Sequence, residues 1–475
     1  MLETSRLYDI CKAKDARFDG RFFLAVSSTR IYCRPICRAK MPKRENCSFY
    51  ETAAEAEQAG YRPCLLCRPE LAPGTAANSL ARRAAKMMEE NSADGQSMAD
   101  IAARLRCTDR HLRRSFRAEY HVSPAQYLQT ARLLLAKSLL TDTKISVLDV
   151  AMASGYGSLR RFNAAFKGHY RLSPSALRKE AAQDTASGAL TLALGYRPPY
   201  RFEAMLRFFE NRAIPGVEMV RENAYWRTVF LPPAHGFLKV EHEPKRNVLL
   251  VTVSEGLLPV LPKVLSKIKN LFDLYCDPAT VYEGLQGMNG IRPNLCVLGT
   301  RLPGCFDSFE MAVRAILGQQ ITVKAARTLA ARLVNAYGEK IETGIAGLSH
   351  AFPTVRDILS LTEPIENHLG PLGIIAARAR TIKSLAEEIE NGGINLGHCT
   401  HPEEEMKKLK EIRGIGDWTA KYIAMRTMGW TDAFLETDAG VKKALAPHTE
   451  KEMLQMAEEW HPWCSNATMN LWNSL

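Results

Sequence analysis

Four cysteines and one aspartate have the neighbours that chemistry needs. Cys33-x3-Cys37 is followed, after 26 residues, by Cys64-x2-Cys67. Two close pairs across a domain-sized gap suit a tetrahedral Zn²⁺ site. Arg34, Arg38, Lys40, Lys43 and Arg44 crowd the first pair, and Arg62 and Arg68 flank the second. Far down the chain lies LKEIRGIGDWTAKYIAMRTMGWTDAFLETD, Leu409 to Asp438. Two apolar helical segments there flank a Gly414-Ile415-Gly416 turn, where glycine permits positive φ and close backbone approach. Asp417 falls where a helix N-cap belongs, and Trp418 to Met428 has helical composition. Free N–H groups behind such a turn can hold a phosphate. An acid just beyond could act on the nucleotide so gripped. The plainer readings are a structural zinc knuckle and an αα-corner with a solvated aspartate.

The elements that must position these groups fill 475 residues, enough for roughly three domains or more. No apolar run is long enough to span a membrane. The N-terminus, MLETSRLYDICKAKD, lacks a signal-peptide core. A cytoplasmic, nucleoid-associated protein without a membrane partner is expected. In that compartment twelve cysteines read as thiols or metal ligands. The net charge of +12 is uneven: residues 101–180 hold 15 Lys/Arg against 5 Asp/Glu, whereas 181–475 hold 32 against 33. The first of these segments has the charge of a nucleic-acid binder. The second must rely on local geometry, with Arg413 and Lys421 as nearby cations.

An internal repeat appears at an offset of 50. Phe116 with Tyr120-His-Val-Ser-Pro124 matches Phe166 with Tyr170-Arg-Leu-Ser-Pro174. Each copy ends a helical pattern with an apolar i, i+4 pair, Leu112/Phe116 and Phe162/Phe166. Short amphipathic helices, MADIAARL and VLDVAMASG, precede them, and Thr108 and Ser158 are natural N-caps. Two helix-turn-helix units are predicted. Their exposed faces carry Arg110, His111, Arg113, Arg114 and Arg117, then Arg160, Arg161, Asn163 and Lys167. Such side chains can contact phosphates or base edges.

Residues 181–190, AAQDTASGAL, read as a linker. Beyond it, LTLALGY, YWRTVFL and NVLLVTV have strand character, whereas RFEAMLRFFENR and VLPKVLSKIKNLFDLY have helical periodicity. No catalytic constellation is evident in that segment. From Leu302 onward the pattern is almost entirely helical.

Three blocks resemble known families. GRFFLAVSSTRIYCRPICRAKMPKRENCSFY and AGYRPCLLCRPE resemble the metal-binding domain of Ada-type adaptive-response proteins. That resemblance implies that Cys33, in a Zn²⁺ site with Cys37, Cys64 and Cys67, accepts a methyl group from a DNA methylphosphotriester. The repeat resembles the AraC-type DNA-binding domain, which adds promoter DNA and RNA polymerase as partners. The Gly-Ile-Gly stretch resembles the helix-hairpin-helix of AlkA-type 3-methyladenine DNA glycosylases. LPG at 302–304, FEMAVRAILGQQITVKAARTLAARL and GPLGIIAARARTI belong to the same likeness.

The AlkA-type resemblance implies a monofunctional enzyme of the DNA-3-methyladenine glycosylase II type. Asp438 would stabilise an oxocarbenium-like sugar and orient water, with Asp432, Glu436 and Asp417 as nearby rivals. Trp418, Tyr422 and Trp472 would line the base pocket. Ring faces favour cationic alkylated purines by about 0.5–2 kcal/mol per contact. Gln319 and Gln320 fall where relatives fill the gap left by the flipped nucleotide. Gly414 and Gly416 would meet the DNA backbone. Strand-nicking relatives carry Lys where this chain has Trp418. Only Cys464 follows Asp438, so no iron–sulfur cluster is expected. A monovalent cation could sit on the carbonyls of Lys410, Ile412 and Ile415.

The predicted organisation is a multidomain α+β chain. It has a small zinc-bound four-cysteine domain at 1–76, an all-α tandem helix-turn-helix domain at 78–180 and the linker. An α+β domain at 191–301 and an all-α helix-hairpin-helix domain at 302–475 follow. No O6-alkylguanine methyltransferase motif of the PCHRV type occurs. The competing readings are a transcription regulator whose C-terminal half binds double-stranded DNA without catalysis, and a zinc-stabilised DNA tether without regulation.

Overall fold

The structure, a computed structural model, describes residues 3–74, 79–92, 97–179, 189–361, 364–397 and 401–475. The chain forms two compact units. The first comprises Met1–Pro198, Val240–Lys269 and Leu274–Asp277, and the second Pro199–Lys239, Asn270–Asp273 and Pro278–Leu475. Most of the expected linker lies outside the described residues, and Ala189 and Leu190 already open a strand.

The first unit begins with a small sheet of β1 (Phe23–Val26), β2 (Ile31–Cys33), β3 (Cys47–Tyr50) and β4 (Arg62–Pro63), ordered β3-β1-β2-β4. β1 pairs antiparallel with β2 and β3, while β2 runs parallel to β4. That parallel register sets Tyr32 opposite Pro63, so Cys33 and Cys64 leave the sheet side by side.

The two helix-turn-helix units follow. Thr108 caps the helix Asp109–Tyr120 and Ser158 caps Leu159–Tyr170, each accepting a backbone N–H as predicted. Leu112, Phe116, Phe162 and Phe166 are fully buried. The repeat extends to the backbone, since His121 and Arg171 both close their helices in the left-handed region, at φ 57° and 56°. Between the two units runs the long helix Pro124–Asp142, opened by a capping box of Ser123 and Gln126.

Two polar clusters tie this long helix to the cysteine domain. Lys137 Nζ lies 2.6 Å from both oxygens of Glu70, and Arg68 grips Asp142 with two 2.7 Å bonds. Glu57 accepts from Thr130 at 2.8 Å and from Tyr32 at 3.1 Å. Arg34 and Arg68, expected among the cations around the thiols, are therefore structural. Arg34 is buried against Asp19, and Arg68 is held by Glu70 and Asp142. Arg38, Lys40 and Arg44 stay exposed.

β5 (Ala189–Gly195) pairs antiparallel with the later β9 in this unit, and β6 (Glu218–Arg221) pairs antiparallel with β7 (Ala224–Leu231) in the second. β8 (Ala234–Glu243) and β9 (Val248–Ser254) complete the strands. In the second unit the buried Arg227 and the half-buried Arg314 pair with Glu218 and Glu310, which fixes the helix Ser308–Leu317 to β6 and β7. Arg314 also donates to the Arg212 carbonyl at 2.5 Å, anchoring the end of the helix Phe202–Arg212. Among the described residues no helix is long and apolar enough to cross a membrane.

Burial pushes the Glu57 carboxyl up to about 8, against the pull of its bonds from Thr130 and Tyr32. A carboxyl raised in the folded state favours the fold at low pH, and that contribution is lost as pH rises from the ordinary carboxylate range towards about 8. Denaturant midpoints of the first unit's transition should therefore fall between pH 5 and about 8 in the wild type. In Glu57→Gln that decline should be much shallower. Parallel profiles would show that Glu57 is not the group responsible.

Candidate active site

The hairpin is built from the helix Pro402–Glu411, a turn at 412–416 and the helix Asp417–Ile423, which runs on into a wider turn to Met428. Gly414 sits at φ 100°, a conformation that needs glycine. The turn is buttressed from two sides. Thr381 Oγ1 donates to the Arg413 carbonyl at 2.8 Å. Gln319 Nε2 donates to the Gly414 carbonyl at 2.8 Å and to Thr419 Oγ1 at 3.0 Å. Gln319 is thus committed to holding the hairpin. Gln320 is the residue left exposed, at φ 54°, at the tip of its turn. Of the carbonyls expected to hold a monovalent cation, that of Ile412 already accepts from Ile415 N at 3.0 Å.

Two expectations about charge change here. Asp417 is not the N-cap; Gly416 takes that place, and Asp417 begins the helix and pairs with Lys410 and Lys421. Those lysines hold its carboxyl below the usual range, the bond from Lys421 first. Lys421 is not a free cation for DNA, because its ammonium meets both Glu436 oxygens at 2.9 Å and Asp417 at 2.8 Å. Burial pulls it down, but these pairs outweigh burial and raise it. Arg413 is exposed.

Asp438 caps the helix Ala439–Leu445 and is half-buried. Its Oδ1 accepts from Gly440 N at 2.9 Å, Val441 N at 3.1 Å and Trp472 Nε1 at 2.8 Å. Its Oδ2 accepts from Trp418 Nε1 at 3.2 Å, which makes it the less occupied oxygen. Trp418 stacks on Tyr422 with ring centres 5.2 Å apart, and Tyr422 meets Trp472 edge-on at 6.1 Å. The acid and the three aromatics named from sequence are therefore one cluster. The rivals stand apart in role: Glu436 pairs with Lys421, and Asp432 with His461.

Three residues join this cluster that sequence reasoning does not select. Phe208 stacks on Trp472 at 6.3 Å. Arg212 lies with its guanidinium carbon 3.8 Å from the Phe208 ring centre and 5.9 Å from that of Trp472. The segment in which no constellation was evident thus supplies two residues to it. Their i, i+4 spacing in FFENR puts ring and cation on one helix face. Arg426 donates to Tyr422 Oη at 2.8 Å, and to the carbonyls of Pro303 and Gly304 at 2.7 and 2.9 Å. The LPG words at 302–304 are therefore the acceptor for a buried arginine. Burial pushes the Tyr422 phenol up, but Arg426, Arg212 and Arg314 outweigh it and bring the phenol below the ordinary range.

At the other end of the chain, Cys33, Cys37, Cys64 and Cys67 converge with their sulfurs within 4.8 Å of one another. Tetrahedral Zn²⁺ with Zn–S near 2.3 Å needs sulfurs about 3.8 Å apart, so the donor set fits. Cys64 N donates to the Tyr32 carbonyl at 2.9 Å, and Arg34 N donates to Cys67 Sγ at 3.3 Å, which brings the second pair onto the first. On the helix-turn-helix faces, Arg110, His111, Arg114, Arg117, Arg160, Arg161, Asn163 and Lys167 are exposed. Arg113 is exposed as well but is bonded to Asp109 at 2.8 Å.

Comparison with known proteins covers nearly the whole chain. Residues 6–70 match the metal-binding domain of Ada, 101–180 a helix-turn-helix domain, 191–307 the AlkA N-terminal domain, and 313–457 the HhH-GPD superfamily of base excision DNA repair proteins. A probable bifunctional transcriptional activator/DNA repair enzyme AlkA of Mycobacterium tuberculosis is 34% identical over 99% of this chain and 96% of its own. The chain belongs to this bifunctional AlkA family. The AlkA half also aligns with DNA-3-methyladenine glycosylase 2 of Escherichia coli, 35% identical over 59% of this chain and 95% of that one. The regulator half aligns with the bifunctional transcriptional activator/DNA repair enzyme AdaA of Bacillus subtilis, 28% identical over 35% of this chain and 78% of that one.

The two hairpin glycines should differ sharply on substitution. A Cβ at Gly414 would lie 2.2 Å from Thr381 Oγ1 and strain a positive φ, whereas at Gly416 nothing lies within 4 Å. Gly414→Ala should lower the stability of the unit by about 1–3 kcal/mol, and Gly416→Ala by less than about 0.5 kcal/mol. Denaturant unfolding of both variants checks this, and equal midpoints would refute the role given to Thr381.

Proposed function

We propose that the chain is a monofunctional alkylated-base DNA glycosylase joined to a methyl-sensing transcription regulator. The observation that carries the enzyme reading is the Asp438 carboxylate, held by two indole N–H groups at the edge of an aromatic wall. A base inside the duplex is out of reach, so the damaged nucleotide must first leave the stack. Gly414, Gly416 and Arg413 grip the backbone beside it, and exposed Gln320 fills the gap. Trp418, Tyr422 and Trp472 receive the base, of the 3-methyladenine or 7-methylguanine type, with Phe208 packed behind Trp472.

The bond from C1′ to the base nitrogen then breaks, with its electron pair leaving on the base. Positive charge grows on the sugar, and Asp438 Oδ2 faces it. Water adds to C1′ and gives up a proton, leaving an abasic site. Trp418 offers no amine for a covalent attack on C1′, so the strand is not nicked.

In the other half, Zn²⁺ on four thiolates supplies deprotonated, electron-rich sulfur. Cys33 Sγ attacks the methyl carbon of a methylphosphotriester. The carbon–oxygen bond breaks and a phosphodiester anion leaves, so Cys33 becomes a thioether. One negative charge disappears from the cluster, which eases its approach to DNA phosphate. Recruitment of RNA polymerase is what a regulator of this kind would then achieve.

Base release from methylated duplex DNA tests the enzyme reading. Wild type should free 3-methyladenine without cutting the strand, and Asp438→Asn should be slower by about a hundredfold or more. No release by wild type would leave a regulator whose C-terminal half only binds DNA. A fully active Asp438→Asn would move the site elsewhere.

For the sensor half, DNA carrying methylphosphotriesters should add one methyl to the peptide containing Cys33, read by mass spectrometry. The methylated chain should then bind helix-turn-helix target DNA more tightly, most clearly at low salt. Equal affinities at matched salt would refute the switch.

A further inference from the structure

Three side chains of zinc-ligand type meet at the start of the last helix, away from the base pocket. Cys464 is the first residue of the helix Cys464–Asn473 and is 1% exposed. His461 precedes it by three residues, and Asp432 reaches in from the loop between the hairpin and Asp438. His461 Nδ1 lies 2.7 and 2.8 Å from the two Asp432 oxygens and 3.8 Å from Cys464 Sγ. The ligand atoms of all three lie within 4.8 Å of one another.

Around tetrahedral Zn²⁺, bond lengths of about 2.0–2.3 Å place imidazole nitrogen about 3.3 Å from a carboxylate oxygen and about 3.6 Å from a thiolate sulfur. The observed edges differ from these by roughly half an ångström, which side-chain rotation can supply. A short His-x2-Cys pair with a distant third ligand is also zinc-like spacing.

We propose that Asp432, His461 and Cys464 form a second divalent-metal site of zinc type, separate from the four-cysteine cluster. Thiolate and imidazole favour Zn²⁺ over the hard cations Mg²⁺ and Ca²⁺. The imidazole is 57% exposed, so a water can complete the fourth position. Binding sends the Cys464 thiol proton to solvent, while His461 ligates through Nδ1 as a neutral imidazole that carries its one proton on Nε2. Without metal, Nδ1–H donates to Asp432 and the thiol donates to the Ala457 carbonyl at 3.4 Å.

The ion would join the loop that ends on Asp438 to the helix that carries Trp472. Trp472 donates to Asp438 at 2.8 Å, so the site would clamp both sides of that contact.

Metal counting on the full chain decides the matter. Wild type, stripped by chelator and reloaded with Co²⁺, should hold two ions. His461→Ala and Cys464→Ser should each hold one, with the charge-transfer absorption of the four-cysteine site unchanged. His461 is exposed, so its variant tests the site without disturbing the core. One ion in the wild type, or two in His461→Ala, overturns the proposal.

Discussion

A carboxylate in a half-buried site needs donors, and those of Asp438 come from three different places. Two are the amides of the helix it caps, one is the indole of the hairpin helix, and one is the indole of the last helix. Charge-assisted bonds of this kind are the stronger ones in a protein. They are also exacting, because each donor must arrive in place for the others to be useful. The hairpin turn, the Asp438 cap and the position of the last helix are therefore mutually dependent. Gln319 and Thr381 matter for the same reason. They fix the turn from which Trp418 departs, and so act on the carboxylate from a distance.

The first unit is organised differently, around two buried carboxyl groups. Glu70 takes Lys137 and Arg68, while Glu57 takes Thr130 and Tyr32. In each case one partner is next to a cysteine of the cluster in sequence, and another lies on the long helix between the two DNA-reading units. The ion pairs of Glu70 are costly to break, because a stranded charge has no water to turn to, and Glu57 would lose the donors that satisfy a buried polar group. The cysteine domain and the long helix are accordingly bound to move together.

Legibility in the sequence follows the range of the interaction. The cysteine pairs, the repeat at an offset of 50, the caps at Thr108 and Ser158 and the Gly-Ile-Gly turn are all local. Spacing alone encodes them. Trp418 and Tyr422 are visible as one face of one helix, and Asp438 and Trp472 only through family likeness. Phe208 and Arg212 are not visible, because nothing local says that residues more than two hundred positions apart share a site; Arg426 sits four residues after Tyr422, but its carbonyl partners at Pro303 and Gly304 are remote in sequence. Lys421 reads as a free cation until Glu436 is seen to face it. Asp417 reads as a cap because aspartate commonly is one, but glycine can take that position with little loss, and the acid serves the lysines.

Two guanidiniums lie beside the rings that would receive a base. Arg212 lies 5.9 Å from the Trp472 ring centre, and Arg426 lies 5.6 Å from that of Tyr422. The negative face that could attract an alkylated, cationic purine is thus already engaged. Such a base would enter against like charge. Once its bond to the sugar breaks, the departing base is neutral and that opposition disappears. The repulsion is felt by the reactant and relieved on the way to product. Selectivity for charged lesions would then be expressed in turnover rather than in binding.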